Sequence, residues 1–318
     1  MANSVLLTLI RRYDTLNVNN CCERAATWKG YAVTQLKDAT AAVTGAASGI
    51  GRALAYALAE QGCSLALADR DEVGLAATAD GVRAKFPVKV TTTSLDVSDL
   101  AGVERFAVEA VAAHPQLNIL INNAGVALMG DHDEVTLADM QWLMGINFWG
   151  VVYGCRAFMP QLVKQPAAHI VNVSSVYGLM GPPGNTTYAA AKFAVRGYTE
   201  SLRYELEERG GRVRVSTVHP GGIKTNIVKN ARAVNSLSNK RVQLEDGFEK
   251  IARSTAEQAA ARIVAGILAN EPRILIGADA RLIDRLQRLM PVSYFKWLQK
   301  ITQRATGSTS RLSAKVMS

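Results

Sequence analysis

The chain has 318 residues, 48% of them hydrophobic and 20% charged, with 6% aromatics and a formal net charge of +9. That length and apolar fraction supply a sizeable core and exclude intrinsic disorder, a collagen-like chain and a disulfide scaffold; few aromatics beside many small aliphatics suit α/β layers better than an all-β sandwich. Eight of the 36 basic residues and one of the 27 acids lie in 281–318, and five and three lie in 1–40, which leaves 23 of each sign between them. The body is neutral, so the basic face expected of a nucleic-acid-binding domain is not indicated.

Taken in chain order, residues 1–36 form an N-terminal extension to which the sequence assigns no role. Its apolar run Val5–Ile10 is too short for the core of a signal peptide, and Arg11 and Arg12 follow it instead of preceding it. From residue 37 to 278, short β-rich runs alternate with helix-length segments. The strands are expected at Thr40–Val43, Ser64–Ala68, Val88–Ser94, Leu117–Ile121, His169–Val173, Val213–Val218 and Arg273–Ile276. The helices are expected at 50–61, 71–85, 99–113, 136–164, 186–209 and 254–269. Several strands are almost continuous apolar runs, as in a sheet covered on both faces. The pattern reads as one Rossmann-type, doubly wound parallel sheet in three α/β/α layers, with a C-terminal helical appendage.

The first strand runs into Thr44-Gly45-Ala46-Ala47-Ser48-Gly49-Ile50-Gly51 and then a helix. Glycines at this spacing let the backbone turn tightly and approach a pyrophosphate, whose charge then sits at a helix N-terminus. The second strand ends in Asp69, 18 residues beyond Gly51. A carboxylate there can hold the adenosine ribose hydroxyls and repel a 2′-phosphate, which favours NAD; the neighbouring Arg70 keeps NADP open. The fifth strand delivers Ser174 and Ser175 to its C-terminal end. Tyr188 and Lys192 follow at i,i+4 spacing, so a helix places phenol and ammonium on one face. A cation beside a tyrosine favours the phenolate and is expected to lower its pKa.

Together, TGAASGIG, the Asn122–Gly125 run NNAG, Asn147, Ser175, the Tyr188/Lys192 pair and Pro220-Gly221 resemble the compact branch of the short-chain dehydrogenase/reductase family, over roughly 37–278. The resemblance implies an NAD(P)-dependent oxidoreductase that interconverts a secondary alcohol and a ketone, working as a homodimer or homotetramer. It implies Tyr188 as acid/base, Lys192 on the nicotinamide ribose and tuning Tyr188, Ser175 orienting the substrate oxygen, and Asn147 holding a water in the proton relay. Gly45, Ser48, Gly49, Ile50 and Gly51 would cradle the cofactor, and Asn123, Ala124 and Gly125 would line it. Asp96, taken as the end of the third strand, would contact adenine. Pro220, Gly221, Ile223 and Thr225 match the segment that meets the nicotinamide carboxamide. Single members have plainer readings: Asn147 can bridge backbone, and Asn122 more readily braces the sheet. A cofactor-binding protein without turnover is the alternative, which the intact Ser175, Tyr188 and Lys192 argue against.

The four histidines show no metal-ligand spacing, and no metal is expected. Cys63 and Cys155 read as buried hydrophobes and Cys21 and Cys22 lack any CxxC partner, which fits a reducing, cytoplasmic setting. The polar connection 223–253 follows a strand's C-terminal end and reads either as a substrate lid or as a solvated excursion. Beyond it, the basic tail 279–318 carries two amphipathic helices over 279–290 and 293–303. Either their apolar stripes pack on the body or a second subunit, or 281–303 lies at the inner surface of an anionic membrane.

Overall fold

In the computed structural model of the chain, residues 34–225, 227, 231–233 and 254–299 are described. The elements run β1 (Thr40–Thr44), α1 (Gly49–Glu60), β2 (Ser64–Asp69), α2 (Glu72–Lys85), β3 (Val90–Ser94), α3 (Leu100–Ala113), β4 (Leu117–Asn122), β5 (Leu128–Met129) and α4 (Leu137–Met144). Then follow α5 (Gly150–Leu162), β6 (Ala168–Val173), α6 (Thr186–Glu208), β7 (Val213–Pro220), β8 (Ile223–Lys224), β9 (Arg232–Ala233), β10 (Ser254–Thr255), α7 (Ala256–Leu268), β11 (Arg273–Ile276) and α8 (Ala278–Leu289). Seven strands form one parallel sheet in the order β11-β7-β6-β4-β1-β2-β3. Strand succession reverses between β1 and β4, and a crevice opens there at their C-terminal ends.

The apolar strands have a simple cause. Ala41 and Val43 of β1 and Leu65 and Leu67 of β2 pack into one core with Leu54 and Leu58 of α1, Leu75 of α2 and Ile263 of α7. Ala42, Ala66 and Ala68 face the opposite core, with Phe106 of α3, Phe158 of α5 and Val195 of α6. Alternate residues of each strand are therefore buried on opposite sides, and the sequence shows no polar face. The Rossmann-type, three-layered sheet is as expected, with strand bounds within two residues at each end.

Three differences matter for the site. The helix expected at 136–164 is interrupted by a π turn at Gly145–Trp149, which contains Asn147. β3 stops at Ser94, so Asp96 lies beyond the strand; its Oδ1 accepts hydrogen bonds from the Ser98 amide (2.9 Å) and hydroxyl (2.7 Å), turning the chain into α3. The body also begins before residue 37. Leu36 lies in the core, and buried Thr34 bonds His169 Nδ1 at 3.3 Å, whose Nε2 meets Ser216 Oγ at 2.8 Å across to β7.

Cys63 and Cys155 are buried free thiols, and burial pushes both up to about 12. Cys21, Cys22 and the other residues of 1–33 lie outside the described residues. So does most of the connection proposed as a lid; its described parts are β8, paired with β10, and β9, paired with β5. In the tail, Ala280 and Ile283 of α8 are buried against Val176, Leu179 and Met180, with Tyr294, Phe295 and Leu298 on the same cluster. Part of the tail's apolar surface thus packs on the body. Leu282, Leu289, Val292 and Trp297 remain exposed. Among the described residues, no helix is long and apolar enough to cross a membrane.

Candidate active site

The crevice begins with the glycine loop between β1 and α1. Gly45 (φ +70°) and Gly49 (φ +53°) occupy the left-handed region that glycine tolerates best. A Cβ on Gly45 would come within 2.8 Å of Ala124 Cα, and one on Gly51 would overlap the carbonyl oxygen of Gly45. The loop is therefore held at a backbone separation that side chains would prevent. Ser48 takes the N-cap position of α1 without a side-chain cap bond, and Ile50 packs partly against the core behind the loop. Uncapped amides at a helix start beside glycines without room for a Cβ fit the pyrophosphate of a dinucleotide.

The end of β4 locks this loop in place. Asn123 Nδ2 donates to the carbonyls of Thr44 (3.0 Å) and Gly45 (3.2 Å), while the amides of Asn123 and Ala124 bond Thr44 Oγ1. The Asn123 side chain is thus a brace for the glycine loop. Asn122 braces the sheet, donating to Asn172 Oδ1 at 2.9 Å in full burial.

At the end of β2, Asp69 Oδ2 accepts from the Ala47 amide (2.9 Å) and Oδ1 from the Asp71 amide (3.0 Å). Its carboxylate is thereby held at the rim of the glycine loop. Arg52 is turned onto the carbonyls of Ala47 and Gly74 and onto Thr78 Oγ1 (3.0 Å), and Arg70 is exposed.

On the other side of the crevice, Ser175 lies two residues beyond β6, and its Oγ accepts from the Tyr177 amide at 3.1 Å. Tyr188 and Lys192 lie on α6, where Lys192 is buried and its Nζ donates to the Val173 carbonyl at 3.1 Å. That Nζ sits over the Tyr188 ring, 5.7 Å from its centroid. Burial pushes the Tyr188 phenol up to about 12, against a hydrogen bond with Ser175 that draws it down. Lys192 adds no resolved lowering to this phenol, whose upward direction is set by burial. Burial also brings the Lys192 ammonium down to about 8, into the range where it titrates.

Asn147 is buried, and its amide is committed at both ends to Val126, donating to the carbonyl and accepting from the amide, each at 2.8 Å. The bridging reading of this side chain is the one observed. Gly125 lies between it and Lys192: a Cβ there would sit 3.2 Å from Asn147 Oδ1 and 3.5 Å from Lys192 Nζ. Pro220 ends β7, Gly221 donates to Ile276 O (3.0 Å), and Ile223 is buried. Thr225 reaches across the crevice to within 3.4 Å of where a Gly49 Cβ would be. Asp96 stands at the far end, beyond β3.

Two further side chains had no sequence signal. Tyr177 packs edge-on against Tyr188, with centroids 5.8 Å apart and planes at 83°. His219 is buried, and its Nδ1–H donates to the Ser175 carbonyl at 2.9 Å, tying the serine turn to β7. Burial drives its imidazole down to about 4, so it stays neutral.

Comparison with known proteins gives the family. Residues 39–236 match the family model for short chain dehydrogenases. The Mycobacterium tuberculosis oxidoreductase named SadH is 39% identical over 262 residues, covering 82% of this chain and 94% of its own length. A short-chain dehydrogenase/reductase family protein 7-like protein of Drosophila melanogaster is 31% identical over 275 residues, covering 83% of this chain and 80% of its own. Among solved structures, a short-chain dehydrogenase/reductase from Burkholderia phymatum in complex with NAD superposes with a TM-score of 0.76 at 34% identity, over 80% of this chain and 95% of that one. A glycine loop without room for side chains, a tyrosine–lysine pair facing a serine, and relatives that share the whole domain make this chain an oxidoreductase of the short-chain dehydrogenase/reductase family.

Proposed function

We propose that the protein interconverts a secondary alcohol and its ketone, with Tyr188 giving and taking the proton at the substrate oxygen. The observation that carries this reading is the convergence of Ser175, from the turn after β6, with Tyr188 and Lys192 of α6 on one wall of the crevice that the glycine loop opens. A nicotinamide dinucleotide bound in that crevice supplies the hydride acceptor or donor. The Ser175 hydroxyl orients the substrate oxygen beside the Tyr188 phenol, and the Lys192 ammonium supports charge that develops on the phenol. Asn147 holds the Val126 backbone in place next to Lys192 with one of its two amide hydrogens, and the other is left to bond a water of the proton relay. Gly45, Ser48, Gly49, Ile50 and Gly51 receive the pyrophosphate, Asp96 the adenine, Asn123 to Gly125 the cofactor's inner edge, and Pro220 to Thr225 the carboxamide.

NAD is the preferred cofactor. The Asp69 carboxylate is pinned at the loop rim where a 2′-phosphate would sit, and Arg52 is spent on backbone carbonyls. The Burkholderia phymatum relative was solved with NAD. A panel of hydrophobic ketones assayed with each reduced cofactor tests both parts of the reading. Oxidation of NADH by at least one ketone is expected, with NADPH slower by about tenfold or more, the cost of placing a phosphate against a carboxylate. No turnover of any ketone sinks the reaction, and equal rates with NADPH sink the cofactor preference.

The protein works as a homodimer or homotetramer, a reading supported by Trp149, Phe193 and Tyr204, which are exposed aromatics at and beside α5 and on α6. A second reading concerns the tail, where Leu282, Leu289, Val292 and Trp297 are exposed beside Arg281, Arg285 and Arg288. That combination favours a peripheral contact with anionic lipid. The expected result is cosedimentation with phosphatidylserine vesicles that weakens as salt is raised; a protein that stays in the supernatant at low salt removes the reading.

A further inference from the structure

We propose that Asp279, in the first turn of α8, is a positioning residue for the nicotinamide end of the crevice, because its carboxylate holds the backbone of Gly222. The inference rests on the dinucleotide reading above and adds to it a residue that lies far along the chain, in what the sequence presents as an appendage.

Asp279 Oδ2 accepts a hydrogen bond from the Gly222 amide at 2.8 Å. Gly222 belongs to the turn after β7, between Pro220 and Ile223, and that turn has no helix of its own to stiffen it. Its neighbours show that the contact is built. The three atoms nearest to a Cβ on Gly221 would be the Asp279 carboxylate carbon and both its oxygens, all in overlap. Gly277 (φ +95°) clears the same carboxylate from the other side, since a Cβ there would overlap Oδ1. Two glycines thus leave room for one carboxylate, and the φ of Gly277 also aims α8 so that its first turn meets the loop. A carboxylate in a first helical turn is favoured by the helix dipole as well.

The remaining anchors of the turn are weaker or further out. Gly221 N bonds Ile276 O at 3.0 Å, Ser254 N reaches Gly222 O at 3.4 Å, and β8 pairs with β10 for two residues only. Asp279 supplies the one charged acceptor among these anchors, and charge-assisted bonds are about twice as strong as neutral ones. Three residues beyond Gly222, Thr225 faces Gly49 across the crevice. Where the turn sits therefore sets the width of the crevice at that end. The same helix buries Ala280 and Ile283 against Val176, Leu179 and Met180, just past Ser175. One helix so touches both the turn that would meet the carboxamide and the segment that flanks the serine.

The test compares two probes, NADH by fluorescence titration and ADP-ribose, which lacks the nicotinamide, by calorimetry. Asp279→Ala is expected to raise the Kd for NADH about tenfold, as for loss of one hydrogen bond to a charged group, while ADP-ribose binds as before. Asp279→Asn keeps an oxygen acceptor for the Gly222 amide and should restore NADH affinity. Unchanged NADH affinity in the Ala variant, an equal loss of ADP-ribose, or an Asn variant no better than Ala would each overturn the proposal. If thermal unfolding shows that Asp279→Ala does not fold, Gly221→Ala asks the same question by pushing the carboxylate off Gly222. It should lose NADH affinity selectively, and retention overturns the proposal. A wild-type protein that binds neither probe sinks the dinucleotide reading and this inference with it. One that binds both probes, with variants unchanged, sinks the inference alone.

Discussion

Tyr188→Phe is expected to lower kcat by about 10²–10⁴-fold, the usual worth of a positioned acid/base, while NADH still binds. The substitution removes one hydroxyl and keeps the ring, so the edge-on packing with Tyr177 and the face turned to Lys192 persist. What disappears is the proton that must reach the substrate oxygen as hydride arrives at carbon. The site prepares this transfer by opposing effects. Burial holds the phenol protonated, up to about 12, and Lys192 is buried nearby with an ammonium that titrates at about 8. Because the folded site depresses the lysine, its charge is present below pH 8 and lost as pH rises through that value. Ketone reduction should therefore decline above pH 8, and Lys192→Met should remove that limb together with most of the activity. A Tyr188→Phe enzyme with wild-type kcat would show that another group moves the proton.

Gly51→Ala is expected to weaken NADH binding by about 100-fold, or to abolish it, with the sheet still folded. The added methyl would overlap the Gly45 carbonyl oxygen and come within 2.6 Å of Asn123 Nδ2. Neither neighbour can yield cheaply. The Gly45 carbonyl is backbone in a left-handed turn, and Asn123 is tied to it and to Thr44. Relief has to come from shifting the loop away from the start of α1, which spreads the amides that would meet the pyrophosphate. Gly197→Ala is the matched control. Gly197 lies in α6 with nothing within 4 Å of its Cβ position, and alanine there should be neutral or stabilise by up to about 1 kcal/mol. NADH affinity equal to wild type in Gly51→Ala would mean that the loop does not hold the cofactor.

The difference between what could and could not be read from sequence is visible in these residues. Ser175, Tyr188 and Lys192 are legible because two of them share one helix turn and the third lies just past a strand end, so local periodicity already brings them near one edge. The glycine loop was legible for the same reason, as a strand, a turn and a helix in one continuous run. Asp96 is expected at a strand end, but β3 stops two residues earlier, and the Asp96 carboxylate turns onto Ser98 while its carbonyl accepts from the Asp99 amide. Asn147 sat in an expected helix whose π turn leaves no trace in hydrophobic spacing, and its partner Val126 is 21 residues away.

Sequence alone determined the layered parallel sheet, because covering a sheet on both faces forces short apolar runs, and these alternate here with helix-length segments. It also determined the candidate chemistry, through residue types at helical and strand-end spacing. Tertiary structure alone decided the environment of those groups. Burial, not the adjacent lysine, sets the Tyr188 phenol, because desolvation depends on what packs around a group and not on its neighbours in sequence. The same holds for His219 on the Ser175 carbonyl and for Asp279 on Gly222, contacts across 44 and 57 residues that exist only once β7, β11 and α8 are laid beside one another.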